Sequence, residues 1–176
     1  MKNIFFSIIL SLICTTTLAQ NFHDIKIQSI NGQVLSMNDF KGKYVLVVNV
    51  ASKCGYTKQY AELEELHQLY ENLVVLGVPC TQFAGWREIQ DEKQILQFCT
   101  DKYDVTFPMT SKVEVKGKDK HPLYQWLTEK EYNKKDNYKI NWNFNKFIVD
   151  PNGQLLKHFK SGIKPLSKEI TSILEK

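Results

Sequence analysis

The stretch NVASKCGYT, residues 49–57, organises the rest of the chain. The run that leads into it, residues 44–50, is apolar except for Asn49, which is typical of a strand buried on both faces. The segment that follows, residues 57–71, carries apolar side chains at helical spacing. Cys54 therefore lies where a strand ends and a helix begins, a position that favours thiolate, the reactive form of sulfur.

A second apolar run, residues 73–78, predicts a strand that is parallel to the first and joined to it by the helix in a right-handed crossover. Turn signals at Asn31-Gly32 and at residues 150–153 predict a β-hairpin near each end of the chain. Further helices are predicted over residues 91–102, 122–129 and 166–174, and the polar residues 131–141 are predicted to form a loop. This order predicts an α/β protein with a thioredoxin-like fold: a central mixed β-sheet flanked by helices, with an N-terminal β-hairpin.

Residues 1–19 have the pattern of a secretory signal peptide: an early positive charge, an apolar centre and small residues before the cleavage site. The apolar centre is too short for a transmembrane helix. Cleavage after Ala19 would leave one thioredoxin-like domain, residues 20–176, in an exported protein that is periplasmic or secreted. A lipoprotein anchored through Cys14 is the alternative, which the bulky Ile13 disfavours.

Composition narrows the function further. The chain has 43% hydrophobic and 24% charged residues and a formal net charge of +4, without a dense basic block, so nucleic-acid binding is not expected. Of its four cysteines, three lie beyond the signal peptide. No C-x-x-C occurs, since position 57 is Thr57, which argues against a thioredoxin-type dithiol, and zinc-ligand spacing is absent. We expect no metal and no cofactor.

Chemically useful side chains follow the predicted strand ends. Gln82 comes shortly after the second strand, and Trp142 and Asn143 precede the C-terminal hairpin. Parallel strands end at the same edge of a sheet, so these neutral donors could surround Cys54 and stabilise a thiolate or hold a peroxide oxygen. Each also has a structural interpretation, as a loop amide, a core ring and a turn residue. A second thiol, Cys80 or Cys99, could close a disulfide after oxidation.

Three motifs carry a family resemblance: VNVASKCGYT at 48–57, LGVPCTQF at 76–83 and WNFNKF at 142–147. From about residue 24 to residue 173 the chain resembles the glutathione peroxidase family, in its cysteine-containing, thioredoxin-dependent branch. The resemblance implies a peroxidase that reduces hydrogen peroxide or organic hydroperoxides and is recycled by a thioredoxin-like protein, with glutathione a poorer donor. It also implies a monomer or weak dimer. The signal-peptide pattern predicts no stable membrane insertion after processing.

The resemblance assigns roles to individual residues. The peroxidatic residue of the family falls on Cys54, and the catalytic amide, indole and asparagine fall on Gln82, Trp142 and Asn143. The resolving cysteine of the thioredoxin-dependent branch falls on Cys99, whereas that branch does not generally require the cysteine at the position of Cys80.

The chain departs from the family pattern at several positions. Val78 and Thr81 replace the usual Phe and Asn, and Trp86-Arg87-Glu88 replaces the usual Gln-Glu-Pro. The segment that leads to the helix with Cys99 is therefore specific to this sequence.

Two other functions remain open from sequence. The first is an exported thiol–disulfide oxidoreductase that acts on proteins, which the missing C-x-x-C disfavours. The second is an exported peroxide-sensing thiol protein that relays oxidation to a partner.

Overall fold

The computed structural model describes residues 21–175, so the predicted signal peptide and Cys14 lie outside the described part of the chain. A four-stranded mixed sheet has the strand order β4-β3-β5-β6. Strand β3 (Tyr44–Val50) pairs in parallel with β4 (Leu73–Pro79), and the two strands end level, with Val50 opposite Pro79. Strands β5 (Lys146–Val149) and β6 (Leu155–Phe159) complete the sheet as an antiparallel hairpin, and the thioredoxin-like prediction is confirmed.

A separate two-stranded sheet precedes the main one. It consists of β1 (Lys26–Gln28) and β2 (Val34–Ser36), which are antiparallel and confirm the predicted N-terminal hairpin. Ser36 then caps a short 3-10 helix, Met37–Phe40, through a reciprocal bond pair with Asp39.

Five α-helices connect and cover the strands in the described residues: α1 (Gln59–Leu69), α2 (Glu92–Tyr103), α3 (Pro122–Thr128), α4 (Lys130–Asn133) and α5 (Lys168–Leu174). The prediction of a loop after residue 130 is wrong for α4. This helix is a single turn of polar residues, which leaves no apolar periodicity in the sequence, and Asn137 accepts a hydrogen bond from the Lys130 amide at its start.

The main sheet separates two cores, because side chains alternate along its strands. One face packs against β1 and α3, and its core includes Cys80. The other face packs against α1, α2 and α5, and its core includes Cys99 and contacts Cys54. Cys54 therefore shares a side of the sheet with Cys99 and is separated by the sheet from the core that holds Cys80.

No helix within residues 21–175 combines the length and the apolar character that a membrane crossing requires.

Candidate active site

Thr57 fixes the loop that presents Cys54. Its hydroxyl donates to the Ala51 carbonyl at 2.8 Å and accepts from the Cys54 amide at 2.8 Å. Its own amide donates to the Cys54 carbonyl at 3.0 Å, so residues 54–57 form a turn and α1 begins at Gln59 rather than at residue 57. Thr57 occupies the position at which a C-x-x-C dithiol would have its second cysteine. It therefore holds the single, half-buried thiol of Cys54 in place.

The segment after β4 supports the same loop from the other side. Glu88 is only 2% exposed, and its Oε1 accepts from the amides of Ser52 at 3.1 Å and Ile89 at 2.8 Å. The Lys53 amide donates to the Arg87 carbonyl at 2.7 Å. Burial raises the pKa of Glu88, and the hydrogen bonds to Ser52 and Ile89 oppose that shift. Glu88 thus joins the Cys54 loop to the chain that leads into α2.

Removal of the Glu88 carboxylate should destabilise the protein. In Glu88→Ala, the buried amides of Ser52 and Ile89 lose their acceptor, and we expect the free energy of unfolding to fall by about 2–4 kcal/mol. Glu88→Gln keeps an acceptor oxygen, so its loss should stay within about 1 kcal/mol. Urea denaturation at pH 7 measures both values.

The pH dependence supplies the control. Because the folded-state pKa of Glu88 lies above its ordinary 4.5, ionisation costs stability, and wild type should lose stability relative to Glu88→Gln as pH rises above 4.5. If Glu88→Ala and Glu88→Gln lose the same free energy of unfolding at pH 7, the role of Oε1 as acceptor is contradicted.

Asn49 ties the end of β3 to the turn that carries the predicted indole and amide. Its Nδ2 donates to the Trp142 carbonyl at 3.0 Å, and its Oδ1 accepts from the Asn145 amide at 2.9 Å. Asn145 also donates to the Trp142 carbonyl at 2.7 Å. The single polar residue in the buried strand thus holds Trp142 and Asn143 at the edge of the sheet where Cys54 follows β3.

Asn143 is the unusual group of this turn. Its side chain is fully buried, yet neither amide atom has a hydrogen-bond partner among the described residues. A buried amide without partners is costly, and such groups concentrate at sites that bind something else. The next residue, Phe144, has a φ of 64°, so the backbone at this turn is also strained. Asn143 is therefore a buried amide whose donor and acceptor are both unused by the described residues.

Trp142 and Gln82 are placed differently from each other. The Trp142 side chain is 36% exposed, and its ring centroid lies 6.1 Å from that of Phe83. Gln82 Oε1 accepts from the amides of Val115 at 2.7 Å and Lys116 at 3.0 Å, and its Nε2 donates to the Lys116 carbonyl at 2.9 Å. An amide nitrogen has two hydrogens, so Gln82 caps this loop and keeps one N–H to offer.

A second layer of polar groups supports the Trp142–Asn145 turn. Lys146 is fully buried, and its Nζ donates to the Phe144 carbonyl at 2.8 Å. Burial lowers the pKa of Lys146 to about 7, and the charge of Glu62 opposes the shift. His158 Nε2 donates to Asn145 Oδ1 at 2.8 Å, and burial together with the charges of Lys160 and Lys146 lowers its pKa to about 4. His158 is therefore neutral at neutral pH.

Acid should weaken the fold through His158. Its folded-state pKa lies below the ordinary 6.5, so the unfolded chain binds the proton more tightly, and stability is lost as pH falls from 6.5 through about 4. Allowing for partial exposure, we expect a loss of roughly 2 kcal/mol from this group. Urea titrations of wild type and His158→Gln at pH 7.0, 5.5 and 4.0 give the difference as a function of pH. A difference that does not change with pH would contradict this assignment.

The two remaining thiols are sealed in the two cores. Cys80 is 1% exposed and Cys99, on α2, is fully buried. Burial raises the pKa of each thiol to about 11, with a hydrogen bond from the Gln82 amide opposing the shift at Cys80 and Tyr60 opposing it at Cys99. All three cysteines in the described part of the chain are free. Cys54 is the accessible one, which fits a nucleophile.

Within residues 21–175, no three His, Cys, Asp or Glu side chains come together in a way that could hold a metal ion.

Comparison with known proteins assigns the family. Residues 22–128 match the protein-family model for glutathione peroxidase. The chain is 43% identical over 158 residues to the glutathione peroxidase of Lactococcus lactis subsp. cremoris, covering 88% of this chain and 99% of that protein. The chain belongs to the glutathione peroxidase family. Membership makes it a peroxidase, an oxidoreductase that acts on peroxide.

Other members of the glutathione peroxidase family give the same result. Glutathione peroxidase-like peroxiredoxin 2 of Saccharomyces cerevisiae is 42% identical over 160 residues, which cover 89% of this chain and 98% of the yeast protein. The crystal structure of Trgpx in its apo form superposes with a TM-score of 0.69 at 32% identity, covering 90% of this chain and 98% of that one. A secreted Mycobacterium tuberculosis disulfide oxidoreductase, at 11% identity and a TM-score of 0.57, shares the fold alone.

Sequence reasoning missed several residues that build this family site. Glu88 and Asn145 had no assigned role, and Asn49 was noted only as an exception in an apolar run. A polar residue inside a run that is otherwise buried was the available signal for Asn49. No local pattern marks Glu88, because its partner Ser52 lies 36 positions away.

Proposed function

We propose that this protein reduces hydrogen peroxide or organic hydroperoxides through a sulfenic acid on Cys54 and an intramolecular disulfide with Cys99, and is recycled by a thioredoxin-like protein. The observation that carries the proposal is the accessible thiol of Cys54, which follows β3, together with the buried, unpartnered amide of Asn143 in the turn that Asn49 of the same strand holds. In this proposal, Trp142 and Gln82 are further neutral donors to Cys54, with Gln82 bound to the backbone of residues 115–116 before the reaction.

The first step consumes the peroxide. The Cys54 thiolate attacks one peroxide oxygen, the O–O bond breaks, and the leaving oxygen takes a proton to become water or an alcohol. Cys54 becomes a sulfenic acid. The neutral amide and indole donors can stabilise the charge that moves onto the leaving oxygen. They do not protonate the thiolate, whereas a carboxylic acid in the same place would.

The second step forms the disulfide. The Cys99 sulfur attacks the Cys54 sulfur, a C–S–S–C bond forms, and hydroxide leaves with a proton as water. Cys99 is the better partner than Cys80, because Cys54 packs against the core that contains Cys99, on the opposite side of the sheet from Cys80. Cys99 is fully buried, so α2 must open for the reaction to occur. A dithiol then reduces the disulfide by exchange, which restores both thiols.

Recycling by a protein dithiol agrees with the names of the yeast and Chlamydomonas reinhardtii relatives, which are glutathione peroxidase-like peroxiredoxins. A coupled assay tests the donor: NADPH oxidation is followed with thioredoxin reductase, thioredoxin and hydrogen peroxide, in parallel with glutathione and glutathione reductase. We expect peroxide-dependent turnover with thioredoxin and less than about a tenth of it with glutathione. Faster turnover with glutathione would contradict the donor assignment.

The site of action is a further part of the proposal. We infer export of a mature chain that begins at Gln20, from the signal-peptide pattern of residues 1–19. Expression of the full chain, followed by fractionation and N-terminal sequencing, tests this. A cytoplasmic protein that retains Met1, or a lipid-modified Cys14, would contradict it.

A further inference from the structure

Trp86 is an exposed tryptophan close to the reactive cysteine. It lies in the short 3-10 turn Gly85–Arg87 between β4 and α2, and 66% of its surface is exposed. Contiguous exposed apolar surface often marks an interaction site, and tryptophan is among the residues most enriched at the energetic centres of protein interfaces. Trp86 also belongs to the segment in which the sequence departs from its family, so the family pattern does not account for it.

Arg87 connects Trp86 to the active site. The guanidinium carbon lies 4.3 Å from the Trp86 ring centroid and 5.3 Å from that of Trp142. Its Nη1 donates to the Lys53 carbonyl at 3.5 Å, and the Lys53 amide donates to the Arg87 carbonyl at 2.7 Å. The two tryptophans and Arg87, which we call the aromatic patch, are thus held against the residue that precedes Cys54.

Positive charge surrounds the aromatic patch. Lys53 is exposed at its edge, and Arg87 lies between its two rings. Lys116 is also exposed, and its Nζ lies 4.2 Å from the centroid of Phe83, the ring that neighbours Trp142. A partner that matches this surface has an apolar centre and carboxylates at its rim.

Two members of the aromatic patch, Trp86 and Arg87, lie in the chain between Cys54 and Cys99. Glu88 and Ile89 continue directly from Arg87 towards α2, which carries Cys99, and Glu88 binds back to Ser52 beside Cys54. A protein bound to the patch would therefore contact the segment that leads into the helix carrying Cys99.

We propose that the aromatic patch is the docking surface for the thioredoxin-like reductant, with Trp86 packing against the apolar surface beside the partner's dithiol and with Lys53, Arg87 and Lys116 facing its carboxylates. This inference rests on the proposed function, since it assigns a surface to the recycling step. Docking at the patch brings the partner's thiolate to the disulfide, where it bonds to one sulfur, the Cys54–Cys99 bond breaks and the other sulfur leaves as a thiol. The partner's second thiol then attacks this mixed disulfide, which releases the second protein thiol and leaves the partner oxidised.

The test separates recycling from peroxide reduction. Wild type, Trp86→Ala and Leu69→Ala are oxidised with one equivalent of hydrogen peroxide, and re-reduction is followed with purified thioredoxin, thioredoxin reductase and NADPH, or with dithiothreitol. Leu69 is the matched control, because it is 62% exposed but lies at the end of α1, at the opposite edge of the sheet from Cys54. For Trp86→Ala we expect the KM for thioredoxin to rise about tenfold, with the dithiothreitol rate within about twofold of wild type. Leu69→Ala should match wild type in both.

Ionic strength gives a second readout on the same proteins. The wild-type KM for thioredoxin should rise several-fold between about 50 mM and 500 mM NaCl, because salt screens the charges at the rim. The rate of reduction by dithiothreitol should stay within about twofold over the same range.

Four results would overturn the docking assignment. An unchanged KM for thioredoxin in Trp86→Ala is the simplest. If Trp86→Ala reacts more slowly with a long-chain hydroperoxide and its KM for thioredoxin is unchanged, the patch binds the peroxide instead. A wild-type dimer that Trp86→Ala converts to monomer in sedimentation, again at an unchanged KM, would show contact between copies of the chain. If wild type forms no disulfide, or thioredoxin does not reduce it, the proposed function fails and the docking assignment fails with it, before any variant is compared.

Discussion

Cys54→Ser should lower turnover of hydrogen peroxide with thioredoxin by at least about a thousandfold, because a serine hydroxyl is not ionised near neutral pH and does not attack a peroxide oxygen. The loss should be the same with organic hydroperoxides, since the nucleophile is common to both. The coupled NADPH assay measures the steady state, and loss of peroxide after one equivalent measures the first step alone.

The matched control for Cys54 is Cys80→Ala. Cys80 is 1% exposed and belongs to the core on the other face of the sheet, so its removal should leave the peroxide step within about threefold of wild type once stability is checked by urea denaturation. Full turnover in Cys54→Ser, or its loss in Cys80→Ala alone, would move the peroxidatic role away from Cys54.

Cys99→Ala should separate the two halves of the reaction. The variant should still consume one equivalent of peroxide at close to the wild-type rate, because Cys54 and the turn that carries Trp142 and Asn143 are unchanged. Without a resolving thiol, turnover with thioredoxin should fall about a hundredfold, and the sulfenic acid should persist long enough for a dimedone adduct to form.

Alanine is preferred at position 99 because Cys99 is fully buried beside Tyr60, and a serine hydroxyl there would need a partner. Cys80→Ala again provides the control, and its recycling should match wild type. Normal recycling in Cys99→Ala, together with its loss in Cys80→Ala, would reverse the two assignments.

The central strands could be predicted from sequence because their signal is local. Residues 44–50 form a continuous apolar run that coincides with β3, and the second run predicted β4 to within one residue. The start of α1 was predicted two residues early, because residues 54–57 form a turn held by the Thr57 hydroxyl, and the hydrophobic period does not record such a turn.

The site was less predictable than the sheet, because its contacts join distant parts of the chain. Asn49 on β3 binds the Trp142 carbonyl and the Asn145 amide, which holds their turn beside the end of the strand, and the roles of Trp142 and Asn143 at Cys54 stay predictions. The hydrogen bonds between the Gln82 side chain and the backbone of residues 115–116 could not be predicted from sequence, because no sequence pattern in that segment indicates them. The buried position of Glu88 depends in the same way on the distant Ser52 amide.

The position of Cys54 relative to the two other thiols distinguishes the candidates for the resolving cysteine. The residues alone did not decide whether Cys80 or Cys99 closes the disulfide. In the structure, Cys54 packs on the same side of the sheet as Cys99. All three thiols are free in the described residues, and the proposed disulfide would form only after reaction with peroxide.

Peptide mapping by mass spectrometry, after reaction of the reduced wild-type protein with one equivalent of hydrogen peroxide and alkylation of the remaining thiols, tests the central claim most directly. The account predicts a disulfide-linked peptide pair that joins Cys54 to Cys99, with Cys80 alkylated and with no such pair in the reduced control. A Cys54–Cys80 pair, or Cys54 recovered as an unmodified thiol while another residue is oxidised, would contradict it.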